Sequence, residues 1–166
     1  MRIRVGFSKP RSWFAPFAWA IQAVEGTPYS HVYVSSYSAM ASSELIYQAS
    51  GTQVNFMGLR HFSRVAQVVK EFEFEISERQ YREYLAWAIR EAGAPYGVKA
   101  VLGIAVQRLF NLKKNPFSDR SKSWFCSELV GVVLRDFVGV QIKDEELESA
   151  GPRKIFEICE RLAQGK

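Results

Sequence analysis

An α+β domain with an antiparallel sheet packed on helices is the fold class this chain of 166 residues predicts. Three observations carry that reading. Apolar alternation of period two makes the middle of the chain strand-rich. Helix-period stripes and capping signals flank that strand-rich stretch. No repeat, low-complexity run or linker divides the chain, so 1–166 reads as a single domain, long enough to bury a sizeable core.

Met1 to Phe7 alternates Ile3, Val5 and Phe7 and forms a first strand. Ser12 can cap the helix that follows, in which Phe14, Phe17, Ala18 and Ile21 share one face and which stops near Gly26-Thr27-Pro28. Residues 30–35 and 44–49 read as two strands joined by a small polar loop, Ser36 to Ser43. Ser50-Gly51 turns the chain into a further strand, Thr52 to Phe56. Val65 to Ile76 is strand-like, with Phe72 and Phe74 alternating against Glu71, Glu73 and Glu75. Ser77 and Gln80 form a capping box. The helix behind it carries the stripe Tyr81, Tyr84, Leu85, Ala88, Ile89 and Ala92, and Gly93 with Pro95 ends it. Ala100 to Phe110 is a more apolar helix and Asn111 to Lys122 a polar loop. Residues 124–138 make another helix, with Ser123 as its cap, and Pro152 opens the last one in a permitted first-turn position.

Composition is ordinary for a globular chain at 48% apolar and 23% charged, apart from a high aromatic share of 14%. A net charge of +5 mildly favours anionic partners, though the charges are scattered. The densest basic patch, Lys113, Lys114, Arg120 and Lys122, shares its loop with Asp119 and carries no nucleic-acid-binding motif, so no specific nucleic-acid partner is expected. Trp13 to Ile21 is continuously apolar behind Arg2, Arg4, Lys9 and Arg11, which superficially mimics a secretory signal. It is far shorter than the ~20 residues needed to span a bilayer. The expectation is an internal amphipathic helix, no transmembrane segment, and a cytoplasmic or otherwise soluble protein.

Cys126 and Cys159 are the only cysteines, which excludes a disulfide framework. With only His31 and His61 to add, neither a structural zinc site nor another cofactor is expected. Cys159 shares a helix face with Ile155, Phe156 and Leu162 and reads as a small core residue. His61, in the turn-like Leu-Arg-His-Phe, reads as a surface residue. Cys126 is different. It lies in Ser-Trp-Phe-Cys-Ser-Glu-Leu-Val, at the first turn of an apolar helix, where unpaired N–H groups and the helix dipole favour thiolate. His31, in Tyr-Ser-His-Val-Tyr-Val at a strand start, can hold the thiol proton and deliver it to a leaving group.

Pairing Ser35 with Glu44 across the polar loop puts His31 directly opposite Gln48, both on one face. The Gln48 carboxamide oxygen can then accept the His31 Nδ1 proton and leave Nε2 for the thiol. Glu44 shares that face and competes for the orienting role. Glu128, two residues past the thiol, favours the helix N-terminus electrostatically. Taken singly, Cys126 reads as a buried core thiol and His31 as a satisfied structural group.

Four stretches together resemble one family: Ser30-His31-Val32; Ile46-Tyr47-Gln48-Ala49-Ser50-Gly51; Ala94-Pro95-Tyr96-Gly97; and Phe125-Cys126-Ser127-Glu128-Leu129-Val130. The chain is similar to the circularly permuted branch of the NlpC-type papain-like cysteine hydrolases, which includes YiiX-like bacterial proteins and relates to the lecithin:retinol acyltransferases. Its mark is His before Cys. Ser149-Ala150-Gly151-Pro152 is similar to the Ser-Pro element before the family's final helix, and the likeness spans residues 2 to 160. The family often carries Glu where Gln48 stands, so this chain keeps an acceptor there without its charge.

The resemblance implies a permuted papain-like α+β fold, with a small, barrel-like antiparallel sheet packed against helices and the nucleophile at a helix N-terminus. It implies hydrolysis of an amide (a peptide, cell-wall peptide included) or an ester through a thioester. Cys126 would attack, His31 shuttle the proton, Gln48 orient His31, and the Cys126 N–H help hold the oxyanion. The substrate is then a small molecule or peptide, with an acylated or lipid substrate as the variant. Trp13, Phe14, Trp19 and Trp124 would suit an acyl chain. The alternatives are a lipid acyl hydrolase or acyltransferase, and a non-catalytic binding module that retains the groove.

Overall fold

Alternation along the first strand decides which side of the sheet is dry. Ile3, Val5 and Phe7 of β1 (Arg2–Pro10) are fully buried on one face, while Arg4, Gly6 and Ser8 point to the other. The structure is a computed structural model and describes residues 1–98, 103, 106 and 123–165. Among them, β1 joins β2 (His31–Ser38), β3 (Ser43–Ser50), β4 (Gln53–Gly58) and β5 (Ala66–Glu75) in one sheet of order β4-β3-β2-β1-β5. Every neighbouring pair is antiparallel. β4 and β5 end the order at opposite edges and do not pair with each other. The sheet is therefore open, which corrects the expected barrel-like form: closure requires its two edges to meet.

The β2–β3 register also differs from the expectation. Ser35 pairs with Ile46 and Glu44 with Tyr37, a slip of two residues from Ser35 opposite Glu44. A slip of two keeps every side chain on its face. His31 and Gln48 thus stay on the same side of the sheet but are diagonal rather than opposite. The slip follows from loop length, since Ala39 to Ser42 alone connect the strands.

On the dry face, Val32, Val34, Tyr47, Ala49 and Val54 join the β1 residues in the main core. That core is closed by α3 (Glu78–Glu91), α4 (Cys126–Val133) and α6 (Pro152–Ala163). The other face holds a small second cluster, in which Phe62 of α2 (Leu59–Val65) covers Tyr33 and Ile46. The Tyr33 ring lies across Gly6, where a Cβ would overlap it. Sequence reading treated 59–62 as a turn. The helix there is seven residues long, its N-cap Gly58 contributes no side-chain hydrogen bond, and so no capping motif announces it.

α1 (Pro16–Glu25) links β1 to β2 and is fixed at its C-terminal end. The buried Glu25 carboxylate accepts the backbone N–H of Arg153 (3.1 Å) in the first turn of α6, and Gly151 leaves room for it. The expected burial of an apolar face on α1 does not occur, because Glu25 is its one buried residue. Ser12 is not the cap either. Ala15 takes that position, and Ser12 Oγ accepts instead from the N–H of Phe14 (3.2 Å).

α3 begins with the expected box: Gln80 N–H donates to Ser77 Oγ (3.1 Å) and Ser77 N–H to Gln80 Oε1 (2.8 Å). Tyr81, Tyr84 and Ala88 of its stripe are buried, whereas Ile89 is exposed. α4 starts later than expected, with Phe125 rather than Ser123 as N-cap. Trp124 is held extended beside Tyr96, its N–H donating to Pro95 O (2.9 Å) and its carbonyl accepting from Gly97 N–H (2.8 Å). That pairing delays the helix until Cys126. A π-helical turn, Leu134–Val138, continues α4 and Gly139 ends it at φ 89°, before α5 (Asp144–Ser149). The expected Ala100–Phe110 helix and the basic loop Asn111–Lys122 lie outside the described residues, save Gly103 and Val106. No helix among the described residues is long and apolar enough to cross a membrane.

Candidate active site

Three elements converge where β2 and β3 part. The β2–β3 ladder extends no further than the Val34–Tyr47 pair, so the backbones of His31 to Tyr33 and Gln48 to Ser50 do not pair. α4 packs beneath both strands and brings the Cys126 side chain to that gap. There the imidazole of His31 and the backbone N–H of Val32 come near enough to the Cys126 sulfur to act on its ionisation. Ser127 Oγ lies 3.8 Å from the sulfur.

His31 is held from its other side. Its Nε2 lies 2.8 Å from Gln48 Oε1. The amide orientation is set by a further link: Asn55 Nδ2 donates to Gln53 O (3.2 Å), which leaves Asn55 Oδ1 to accept from Gln48 Nε2 (3.4 Å). Gln48 Oε1 must then face the imidazole, so His31 carries its proton on Nε2. Nδ1 is left for the thiol. The structure thus brings Cys126, His31 and Gln48 together but exchanges the two ring nitrogens relative to the expectation. The two-residue slip in register is the cause, because Gln48 now approaches the ring diagonally. Stacking on Tyr33, with centroids 6.5 Å apart, steadies the ring.

Electrostatics favour a thiolate facing an imidazolium. Burial works to raise the Cys126 thiol, but the hydrogen bond and charge of His31, the Val32 N–H and Ser127 together bring it below the ordinary thiol value. Burial works to lower His31, and its contacts with Cys126 and Gln48 outweigh this and raise it. Cys159 behaves in the opposite way. It is fully buried without such partners, and burial pushes its thiol up to about 12. Both cysteines are free thiols.

Glu44, the rival orienter, points elsewhere. Its Oε1 accepts from Arg4 Nη1 (2.9 Å) near the opposite end of the ladder. Glu128 is buried in the first turn of α4, and His61 is exposed on α2.

Sequence reading assigned no role to Tyr96. Its hydroxyl comes near Cys126, and burial followed by the thiol's charge raises it well above the ordinary phenol value, so it keeps its proton. A backbone clamp places it: Tyr96 N–H donates to Thr52 O (2.9 Å), and Tyr96 bridges to Trp124, two residues before the thiol. The available signal was the Ala94-Pro95-Tyr96-Gly97 stretch, whose significance depends on a contact 30 residues away in sequence.

A groove of about 500 Å³ opens on this constellation. His31, Gln48, Tyr96 and Ser8 line its inner end, and Phe17, Ile21, Met57, Phe62 and Val65 line its apolar walls. Cys126 is 4% exposed and sits behind His31 and Tyr96 rather than in the wall.

Fold and site together define an α+β protein with an open antiparallel sheet and a Cys–His–amide constellation at a strand gap. No protein-family model matches the chain, and no curated protein matches it. Among solved structures it is similar to YiiX from Escherichia coli O157:H7, described as a metalloprotein of DUF1105. The TM-score is 0.56 at 20% sequence identity, covering 95% of this chain and 79% of that one. The likeness is one of fold.

Proposed function

We propose that the protein is a cysteine hydrolase of the permuted NlpC-type, papain-like kind, cleaving an amide or ester through a thioester. One observation carries this reading: a thiol at the start of α4 is electrostatically coupled to an imidazole whose Nε2 is held by a buried carboxamide. That is the nucleophile, base and orienter arrangement of a triad. The order His31, Gln48, Cys126 and the likeness to the YiiX fold support it.

In the first half-reaction Cys126 Sγ attacks the substrate carbonyl carbon. The oxyanion takes hydrogen bonds from the Cys126 N–H and the Tyr96 hydroxyl. His31 Nδ1 gives its proton to the leaving nitrogen or oxygen as the bond to carbon breaks, and the thioester remains. Water then attacks the thioester carbon, His31 takes the water proton, and the C–S bond breaks to release the acid and restore the thiolate. Gln48 holds the ring in one tautomer throughout.

YiiX is described as a metalloprotein, which makes a metal worth testing against the donor set. Among the described residues no three His, Cys, Asp or Glu side chains come together to hold one. At the groove only Cys126 and His31 qualify, and the Nε2 of His31 is committed to Gln48. The described donors do not fit a metal centre, and no step is routed through one.

A second reading is favoured by the groove itself. Its walls of Phe17, Ile21, Met57, Phe62 and Val65 suit an aliphatic acyl group better than a polar peptide. A lipid acyl hydrolase or acyltransferase would use the same residues, with a non-water acceptor in the second case.

Intact-mass analysis tests the proposal. Nitrophenyl esters of short and long acyl chains, and dipeptide nitroanilides, should leave an acyl adduct on Cys126 that is absent in Cys126→Ser. A thiol that alkylates readily but neither acylates nor turns over any of them would identify a binding module instead.

A further inference from the structure

The first helix and the segment leading into it present to solvent what a folded chain normally hides. Trp13 is 84% exposed, Phe14 66%, Trp19 46% and Phe17 41%. Their rings form one cluster, with Trp13 and Phe14 centroids 5.9 Å apart and Phe14 and Trp19 6.2 Å apart. Contiguous exposed aromatics of this size mark a docking surface. The cluster stands at the mouth of the groove, because the same helix supplies Phe17, Ala18 and Ile21 to the groove wall. Across the mouth, Leu59 and Val65 of α2 and Val68 and Val69 of β5 are also exposed.

Charge identifies the occupant. Lys9 and Arg11 lie beside Trp19, and Arg60 and Arg64 are exposed on α2. Residues 1–24 and 45–70 contain no Asp or Glu. None of these four cations forms an ion pair among the described residues. The face thus combines exposed Trp and Phe with unpaired cations and no acid to repel an anionic layer. Trp is at home at the boundary between headgroups and acyl chains, and cations near an anionic leaflet add attraction. α1 spans only Pro16–Glu25, too short to cross a bilayer, and its anchorage at Glu25 leaves the aromatic end foremost.

We propose that this face docks the protein on an anionic phospholipid bilayer. Trp13, Phe14 and Trp19 enter the headgroup–acyl boundary, Lys9, Arg11, Arg60 and Arg64 meet the headgroups, and the groove mouth is seated at the lipid. The docking stands apart from the chemistry assigned to Cys126, since a hydrolase and a binding module would use the same seat.

The test is co-sedimentation of the full chain with vesicles of phosphatidylcholine alone or mixed with phosphatidylglycerol. The wild type should partition about tenfold better or more onto the mixed vesicles, and added salt should weaken it. The triple variant Trp13→Ser, Phe14→Ser, Trp19→Ser should lose binding by about tenfold or more. Lys9→Gln with Arg64→Gln should reduce the preference for phosphatidylglycerol. Trp13, Phe14, Trp19 and Arg64 are exposed and Lys9 half-buried, so the variants keep the fold, and an unchanged rate of Cys126 alkylation checks this independently of lipid. Failure of the wild type to bind mixed vesicles, or undiminished binding by the triple variant, overturns the proposal. So does a wild-type dimer in light scattering that the triple variant abolishes, which would make the face a contact between two copies.

Discussion

Ser8 stands directly across the β1–β2 ladder from His31, and its buried hydroxyl has no hydrogen-bond partner among the described residues. The bulge in the β1–β5 pairing falls here, with Val69 the extra residue between Lys70 and Val68. A buried, unpaired hydroxyl costs stability, and this one lines the groove beside the proposed base.

Ser8→Ala should therefore stabilise the free protein by about 1 kcal/mol. For a domain of this size that is a rise in Tm of about 2–4 °C. If the hydroxyl serves a polar group of the substrate, KM should rise with kcat nearly unchanged. A lower Tm for the variant would show that the hydroxyl is already satisfied in the native state.

The two thiols should separate cleanly by reactivity. Brief iodoacetamide treatment followed by peptide mapping should label Cys126 and leave Cys159 untouched at neutral pH, since burial holds Cys159 up near 12. With pH the signs are opposite for the paired groups. Cys126 is lowered, so its thiolate is present above that depressed value and is lost as pH falls through it. His31 is raised, so its charge is present below that raised value and is lost as pH rises through it. The two shifts draw the titrations toward each other, and alkylation of Cys126 should reach its plateau at lower pH than that of a free thiol. His31→Ala leaves burial unopposed by the imidazole, so the Cys126 titration should move to higher pH. An unmoved titration would remove His31 from the site.

Much of this arrangement was readable in the residues. The period-two alternation in β1, β2 and β3, the Ser77–Gln80 box and the Pro152 start are local signals, and local signals survive into the structure. Cys126, His31 and Gln48 were reachable because a two-residue slip preserves the face. Which ring nitrogen meets the thiol was not, because it depends on that slip. Tyr96 and the late start of α4 depend on one tertiary bridge, Tyr96 to Trp124, and no pattern in the neighbouring sequence encodes it. The exposed face of α1 was misread because helical periodicity reports a stripe without saying what covers it.

Gly6→Ala should be costly despite its small change in volume. The added methyl would overlap the Tyr33 ring, which is fully buried and held by a hydrogen bond from its hydroxyl to Glu71 Oε1 (2.9 Å). Overpacking of this kind costs about 1–3 kcal/mol. Thermal unfolding should show the loss, and because Tyr33 also stacks on His31, thiol reactivity should fall with it. A Tm equal to wild type would mean the ring moves aside freely.

Gln48 tests the orienting role. Gln48→Ala frees the imidazole and should lower kcat with little change in KM. Gln48→Glu keeps an acceptor on Nε2 and adds charge, which favours imidazolium. The alkaline limb of the pH–rate profile should then move to higher pH, with Asn55 turning its amide to donate to the new carboxylate. Glu44→Gln should leave turnover unchanged, because Glu44 is tied to Arg4 and pairs with Tyr37. Full activity in Gln48→Ala with collapse in Glu44→Gln would assign the wrong third residue.

Tyr96→Phe isolates the contact that sequence reading missed. The substitution keeps the ring in the groove wall and the backbone clamp through Thr52, Pro95 and Trp124, so folding should be unaffected. What it removes is the hydroxyl that comes near the sulfur from that side. In the resting protein that donor stabilises thiolate, so the Cys126 titration should move to higher pH. A hydrogen bond to a charged group contributes about 1.5–3 kcal/mol, which corresponds to about a tenfold or greater fall in thiolate-dependent rate near the depressed pKa. If the hydroxyl also serves the oxyanion, kcat should fall further than the loss of thiolate explains, and the deficit should persist on the plateau where Cys126 is fully ionised. Comparing alkylation and turnover across the same pH range separates these contributions. Wild-type alkylation and turnover in Tyr96→Phe would reduce Tyr96 to a wall of the groove.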